Sequence, residues 1–259
     1  MRNSQVETMQ IARVKTADNQ IQFVKQDGSR FKQLSGDLLL GFEENDIYYD
    51  ADSLVFLPPV IPSKFIGIGK NFPEKEGDKT DLNLPNFFIK APNAVVGHQA
   101  EVKLPGVFGA TVIEGEFAVI LKKGGRDIEK SDVQSHILGY TTVCDLSGRD
   151  FIHPDEPVPV AVKKSCDGFA PIGPFITLED SIKDFEIETF VDGEMVQKGN
   201  SSAMFFGIAE CISYISSLMT LEPFDIISMG TPEPKPKVNR GQNVEVRVNG
   251  LGTLAFSIH

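Results

Sequence analysis

Thr111 to Gly124 reads TVIEGEFAVILKKG. Val112, Ile113, Phe117, Ala118, Val119, Ile120 and Leu121 suit an apolar interior, and their branched and aromatic side chains favour a strand. Glu114 and Glu116 do not suit it. In a continuous strand, residues two apart share a face, so both carboxylates point the same way, with Gly115 between them on the opposite side. Two like charges that close repel, and on a buried face each carries a desolvation cost of several kcal/mol unless it is compensated. The spacing leaves two readings open. Either this face is wet, or the pair is met by lysine or arginine, by protonation of one acid, or by a bound cation.

A second strand-like run adds an acid. In GYTTVCDLSGRDFI, Asp145 closes an apolar segment just before a turn, where a loop can present a carboxylate to a cleft. Three oxygen donors from two strands suit a hard divalent cation such as Mg²⁺, Mn²⁺ or Ca²⁺. No His/Cys cluster points to zinc.

The rest of the chain limits what such a site can serve. The 259 residues allow one large domain, or a large and a small one. A net charge of −11 disfavours non-specific nucleic-acid binding and anionic membrane surfaces. No apolar run approaches the ~20 residues that cross a bilayer. The start, MRNSQVETMQIARV, lacks the apolar centre of a signal peptide. Cys144, Cys166 and Cys211 are odd in number and far apart, which fits small buried side chains in a reducing compartment. A cytoplasmic protein is expected.

IARVKTADNQIQFVKQDGSRFKQL alternates apolar and polar residues around the turn signals Asp18-Asn19 and Asp27-Gly28, as a strand–hairpin–strand unit does. A polar stretch, FEENDIYYDADS, follows. The prolines of VFLPPVIPSKFIGIG then keep the chain extended. This places a boundary near residues 58–62, between a small N-terminal β domain (1–60) and a main domain (61–259). In the main domain FIGIG, EVKLP, LGYTTVCDLS, FEIETFVDGEMVQ, DIISMG, VEVRV and LGTLAFSI read as strands. Two helices are expected. One spans Glu129 to His136. The other follows the apolar stripe of SAMFFGIAECISYISSLM from Met204 onward, capped by Asn200, Ser201 or Ser202. The fold class is α+β, mainly β.

The order of these segments resembles the fumarylacetoacetate hydrolase family. FIGIGKNF is similar to its opening strand and Lys-Asn-aromatic turn, and PNFFIKAPNAVVG to the segment after it. VIEGEFAVIL resembles its Glu-x-Glu metal strand. LGYTTVCDLSGRD resembles the strand ending in Asp-x-Ser-x-Arg-Asp. KKSCDGFAPIGP is similar to its lysine-bearing loop, VDGEMVQKGNSSAMFF to its Asn-Gly-Glu and Gln segment, and LEPFDIISMGTPEP to its Gly-Thr-Pro segment. The resemblance runs from about Phe65 to the C-terminus. It implies a rolled mixed β-sheet, a homodimer, and Mg²⁺ or Mn²⁺ (Ca²⁺ as a further candidate) held by Glu114, Glu116 and Asp145. It implies that Lys164 faces the substrate and that Arg149, Gln197 and Thr231 shape the pocket. It also implies a small keto or diketo acid as substrate, cleaved, decarboxylated or isomerised through a metal-stabilised enolate. Read without the resemblance, Lys164 is a surface lysine beside Lys163, and Arg149 and Asp150 are a local ion pair.

The pattern breaks in one place. Hydrolytic members of the family carry a histidine shortly after the Lys-Asn-aromatic turn and a glutamate three residues beyond it. Here NFPEKEGDK places Lys75 and Asp78 at those positions. A neutral imidazole accepts a proton near pH 7, whereas an ordinary lysine, with a pKa of about 10.4, does not. His98, on GHQAEV, is a substitute base only if its loop approaches the site. GTPEPKPKVN also lacks the usual glycine-rich continuation, so the loop there is expected to be reshaped. Two functions therefore stand side by side. One is a metal-dependent enzyme of small keto acids. The other is a family member that keeps metal and ligand but has lost catalysis.

Overall fold

The computed structural model describes residues 8–75, 77–152, 158–178 and 184–259. Strands dominate, as the sequence indicates. The largest sheet has eleven strands. Its order along the sheet is Gly41–Asp50, Arg30–Asp37, Ile21–Asp27, Met9–Lys15, Phe175–Leu178, Ile137–Cys144, Gly115–Leu121, Ile226–Ser228, Phe65–Gly69 and Asn86–Lys90, with Val55–Phe56 paired to Met9–Lys15 off this path. A five-stranded sheet runs Glu194–Asn200, Glu186–Val191, Asn243–Val248, Gly252–Ile258, Ala100–Val102. A three-stranded sheet joins Ser147–Phe151, Phe108–Val112 and Lys237–Val238. This is the mainly-β, α+β architecture expected.

The Gly115–Leu121 strand is buried at every position, which is why it reads as a near-continuous apolar run. One of its faces meets the five-stranded sheet. A Cβ on Gly115 would lie 2.1 Å from Thr189 Oγ1 and 3.2 Å from Val246 Cγ1, and Phe117 packs on Phe185 with ring centroids 4.7 Å apart. Glu116 therefore points away from that sheet, by the alternation of the strand.

The N-terminal strands extend the large sheet through antiparallel pairing of Met9–Lys15 with Phe175–Leu178. They also keep a small core of their own from Ala12, Val14, Val24, Phe31 and Leu54.

Four details differ from the sequence reading. First, the stretch from Thr111 is not one strand. Phe108–Val112 and Gly115–Leu121 belong to different sheets, and the chain passes between them at Ile113 and Glu114. Second, the polar stretch FEENDIYYDADS is mostly the edge strand Gly41–Asp50, which ion pairs tie across to its neighbours: Lys25–Glu44 at 2.6 Å and Lys32–Glu44 at 3.3 Å. Third, the Glu129–His136 helix shrinks to Val133–His136.

Fourth, the long helix begins at Ile208, not Met204, and Gly207 is its N-cap, whose N–H donates to Glu210 at 3.2 Å. The residues before it are held elsewhere. Phe205 N–H donates to the Asn71 carbonyl and Phe206 N–H to the Asn71 side chain, both at 2.9 Å. Asn200 caps only the short 3₁₀ turn Ser201–Ala203. No described helix is long and apolar enough to cross a membrane.

Candidate metal centre

The break between the two strands is what brings the acids together. Glu114 sits at the crossing from one sheet to the other, and Gly115 pairs with Cys144 in the next strand. Asp145, immediately after that strand, is thereby set beside Glu114, and its N–H donates to the Glu114 carbonyl at 2.8 Å. Glu114, Glu116 and Asp145 are 5%, 2% and 1% exposed. Each contributes a carboxylate oxygen, and these oxygens all lie within 4.8 Å of one another.

Two buried ammoniums stand against them. Lys164 Nζ lies 2.7 Å from Glu114 Oε2 and 2.5 Å from Asp145 Oδ2. Lys90, fully buried at the end of the NFFIK strand, lies 2.6 Å from Asp145 Oδ1. Its ammonium also donates to the Leu146 carbonyl at 3.1 Å and to the Phe169 carbonyl. Glu116 is anchored separately, by Ser228 Oγ–H and by Gly230 N–H at 2.9 Å. Gly230 adopts φ +92°, a conformation open to glycine, and a Cβ there would come within 3.0 Å of Asn71 Cβ.

Burial sets the protonation of the cluster. Desolvation raises the Glu114 carboxyl above its ordinary range, and raises Glu116 to about 8, with the negative charge of Asp145 adding to the shift. Burial alone would raise Asp145 too, but the ammoniums of Lys90 and Lys164 outweigh it and hold Asp145 below the usual range. Lys164 is likewise raised: burial works against its charge, yet Asp145 and Glu114 prevail. Lys164 therefore stays an ammonium through neutral pH. It can donate hydrogen bonds and stabilise negative charge, but it does not take up a proton. Lys90 is lowered, because desolvation dominates there.

These residues fit a divalent cation. The donors are all carboxylate oxygens, the set that hard ions prefer. Oxygens on opposite sides of Mg²⁺ stand about 4.1 Å apart and of Ca²⁺ about 4.6–5.2 Å, the same scale as this cluster. Three buried carboxylates face two ammoniums, and the raised Glu116 shows that the cluster as it stands favours retaining a proton. A cation in that position would replace the proton.

The other residues singled out from sequence divide into three groups. Arg149 borders the cluster, with Nη2 3.4 Å from Glu114 Oε1 and a side chain that is 44% exposed. Its neighbour Asp150 pairs with Lys237 instead, so the Arg149–Asp150 ion pair is not formed.

Gln197 and Thr231 lie behind the strand. Gln197 Oε1 accepts from Gly115 N–H at 3.1 Å and from Thr189 at 2.7 Å. Its Nε2 donates to Thr231 Oγ1, Pro232 O and Pro234 O. Thr231 donates to the Gly115 carbonyl at 2.8 Å. Both thus brace the residue between the two glutamates.

Lys75 and Asp78 form an exposed turn. Lys75 N–H donates to Asp78 Oδ2 at 2.9 Å and Asp78 N–H to the Lys75 carbonyl at 3.0 Å. His98 is occupied elsewhere: its Nδ1 accepts from Ala255 N–H at 3.1 Å and its ring packs edge-on against Phe56.

Lys90, Ser228 and Gly230 are the partners that sequence reasoning missed. A lysine at the end of an apolar strand reads as a surface residue. The one available signal was that Lys90 directly follows Phe87-Phe88-Ile89 within a family-like segment.

A fold built around three converging acids and a buried lysine has relatives. The family model described as "Fumarylacetoacetate (FAA) hydrolase C-terminal" matches residues 64–259, and the chain belongs to that family. It is 36% identical over 213 residues to the oxaloacetate tautomerase of Bacillus subtilis, covering 76% of this chain and 70% of that protein. It is 34% identical to a mitochondrial oxaloacetate decarboxylase of Dictyostelium discoideum, covering 75% and 93%. Among solved structures it superposes on a 5-carboxymethyl-2-hydroxymuconate delta-isomerase of Mycobacterium smegmatis with a TM-score of 0.86 at 28% identity, covering 96% and 99%.

Proposed function

We propose that the protein is a divalent-metal-dependent enzyme acting on small keto or diketo acids, with keto–enol isomerisation or decarboxylation as the favoured reaction. The observation that carries this reading is the convergence of the buried Glu114, Glu116 and Asp145 oxygens beside the Lys164 ammonium. Glu114, Glu116 and Asp145 would hold the ion, Mg²⁺ or Mn²⁺ with Ca²⁺ as a third candidate. When bound there, such a cation would polarise the carbonyl of a keto acid and stabilise the negative charge that develops as a C–H or C–C bond breaks.

The chain's own residues supply the rest. Lys164 is a fixed positive charge at the edge of the acids, suited to stabilising an enolate oxygen rather than to removing a proton. Arg149, partly exposed and paired with Glu114 at 3.4 Å, would turn from that pair toward a substrate carboxylate. Gln197 and Thr231 hold the Gly115 backbone, and with it the spacing of the two glutamates.

The names of the relatives, a tautomerase, a decarboxylase and an isomerase, support reactions that need no activated water. Lys75 and Asp78 support the same preference, because their hydrogen bonds are made to each other in an exposed turn. Hydrolysis of a diketo acid is the reaction that would suffer most from this. The same turn also favours the second reading, a family member that binds metal and keto acid without turnover.

Purified protein assayed on oxaloacetate and on an acylpyruvate, with Mg²⁺ and with EDTA, decides between them. Metal-dependent loss of the enol absorbance or release of CO₂, abolished by Glu116→Gln, is expected. Tight oxalate binding with no turnover of either substrate would establish the second reading instead. The family resemblance further supports a cytoplasmic homodimer, which sedimentation of the purified chain would test.

A further inference from the structure

A cleft of about 370 Å³ lies between residues 70–74 and 78–81 on one side and the loop carrying Glu233 and Lys235 on the other. Both walls are tied by hydrogen bonds to residues that neighbour the acid cluster. On one side Ile113 N–H, one residue before Glu114, donates to the Pro236 carbonyl at 2.9 Å. On the other, the Asn71 side chain donates to the Met229 carbonyl at 2.8 Å, next to the Gly230 N–H that holds Glu116. This sets the cleft beside the cluster, as room for the tail of a keto acid seated there.

The lining is mostly charged. Phe72, Pro73 and Phe205 are its apolar surfaces. Such a wall suits a short polar tail better than an alkyl or aryl one, since burying charged groups against apolar atoms is costly. Lys70, Lys79 and Lys235 are its cations. Lys235 directly precedes Pro236, whose carbonyl accepts from Ile113 N–H, so the backbone of this lysine lies on the cluster side of the cleft. Its partner is Glu233, with Nζ 2.7 Å from Oε1, and both side chains are about a third exposed at 33% and 34%. A pair that accessible is held weakly and can exchange partners.

We propose that Lys235 is the specificity-determining residue of this site: it reads the far carboxylate of a short dicarboxylic keto acid, and Glu233 is the counter-ion it leaves to do so. The proposal rests on the reading of the acid cluster as a metal and keto-acid site. The cleft carries more carboxylates than ammoniums, so Glu233 opposes an incoming anion as well as competing for Lys235.

Calorimetric titration of the full chain in Mg²⁺ with two non-reacting probes tests it. Oxamate carries the chelating head alone, and N-oxalylglycine carries the same head with a distal carboxylate. N-oxalylglycine is expected to bind more tightly. Lys235→Met should weaken it roughly fivefold while moving oxamate less than about twofold, the scale of one partly exposed ion pair. Glu233→Gln should tighten N-oxalylglycine and leave oxamate alone. Both side chains are accessible, and unchanged melting temperatures would show that the variants fold. Mg²⁺-dependent binding of oxamate with no preference for N-oxalylglycine, or an equal loss of both probes in Lys235→Met, overturns the proposal and leaves the metal centre standing. No binding of either probe by the unmodified chain overturns both.

Discussion

The main-chain N–H of Asp145 donates to the carbonyl oxygen of Glu114 across 2.8 Å. Two acids that repel are thus held side by side by a bond that does not involve their charges. The backbone supplies the positions, and only the side chains need a counter-charge.

A cation that binds the folded protein and not the unfolded chain raises stability by mass action, about 2.7 kcal/mol at a concentration one hundred times the dissociation constant. Mg²⁺ or Mn²⁺ is therefore expected to raise the melting temperature of the EDTA-treated protein. Asp145→Asn preserves the backbone bond but removes one ligand charge, and should show no such rise. An equal rise in that variant would mean that the ion binds elsewhere.

Lys90 makes a separate prediction. It is buried completely, and among the described residues its ion pair is with Asp145. Removing one member of a buried ion pair costs roughly 3–5 kcal/mol, because the other charge is left behind. Lys90→Met should therefore destabilise the EDTA-treated protein strongly. A divalent ion compensates a carboxylate that has lost one of its two ammonium partners, so the gain in melting temperature on adding Mg²⁺ should be larger in Lys90→Met than in the parent protein. A smaller or equal gain would show that Lys90 does not serve the charge of Asp145.

The acids were legible because their chemistry conflicts with their surroundings, whereas Lys164 was legible only through the family resemblance, since beside Lys163 it reads as a surface lysine. Carboxylates inside apolar runs demand compensation, and that demand is local in sequence. The break at Ile113 and Glu114 was not legible, since the residues on both sides, Thr111 to Ile113 and Phe117 to Leu121, have strand character and only the pairing partners show that two sheets are involved. The edge strand Gly41–Asp50 was hidden for the opposite reason. Its charges are solvated and cross-paired, so no apolar alternation marks it. The late start of the Ile208–Leu218 helix follows from Asn71, more than one hundred residues away, which takes the N–H groups of Phe205 and Phe206. Lys90 acquires its partners, Asp145, Leu146 and Phe169, only in the folded chain.

Gly115 is where fold and site meet most tightly. A methyl group there would lie 2.1 Å from Thr189 Oγ1 and 2.8 Å from Gln197 Oε1. Overpacking of this kind costs about 1–3 kcal/mol. Gly115→Ala should lower the melting temperature, and because the displaced residue lies between Glu114 and Glu116, Mg²⁺ affinity should fall with it. Parent-like Mg²⁺ affinity in a destabilised Gly115→Ala protein would show that the brace formed by Gln197 and Thr231 does not control the spacing of the glutamates.

The raised Glu116 carboxyl gives the protein a pH dependence opposite to that of a salt-bridged acid. In the folded chain Glu116 holds its proton up to about pH 8, while in the unfolded chain it releases it near the ordinary carboxylate value of about 4.3. Between those limits the folded state carries the extra proton, so its contribution to stability is complete at low pH and is lost as pH rises, by up to about 1.4 kcal/mol per pH unit. Glu114, also raised by burial, acts in the same direction. Asp145, held low by Lys90 and Lys164, acts in the opposite direction but only below the ordinary carboxylate range. The EDTA-treated protein should thus become easier to unfold in urea from about pH 5 to about pH 8. Glu116→Gln, which cannot ionise, should show a shallower decline. Saturating Mg²⁺ should flatten the decline in the parent protein, because the ion takes the place of the proton. Identical slopes for the parent protein and Glu116→Gln would mean that Glu116 is ionised in the folded state, with its charge met by the lysines alone.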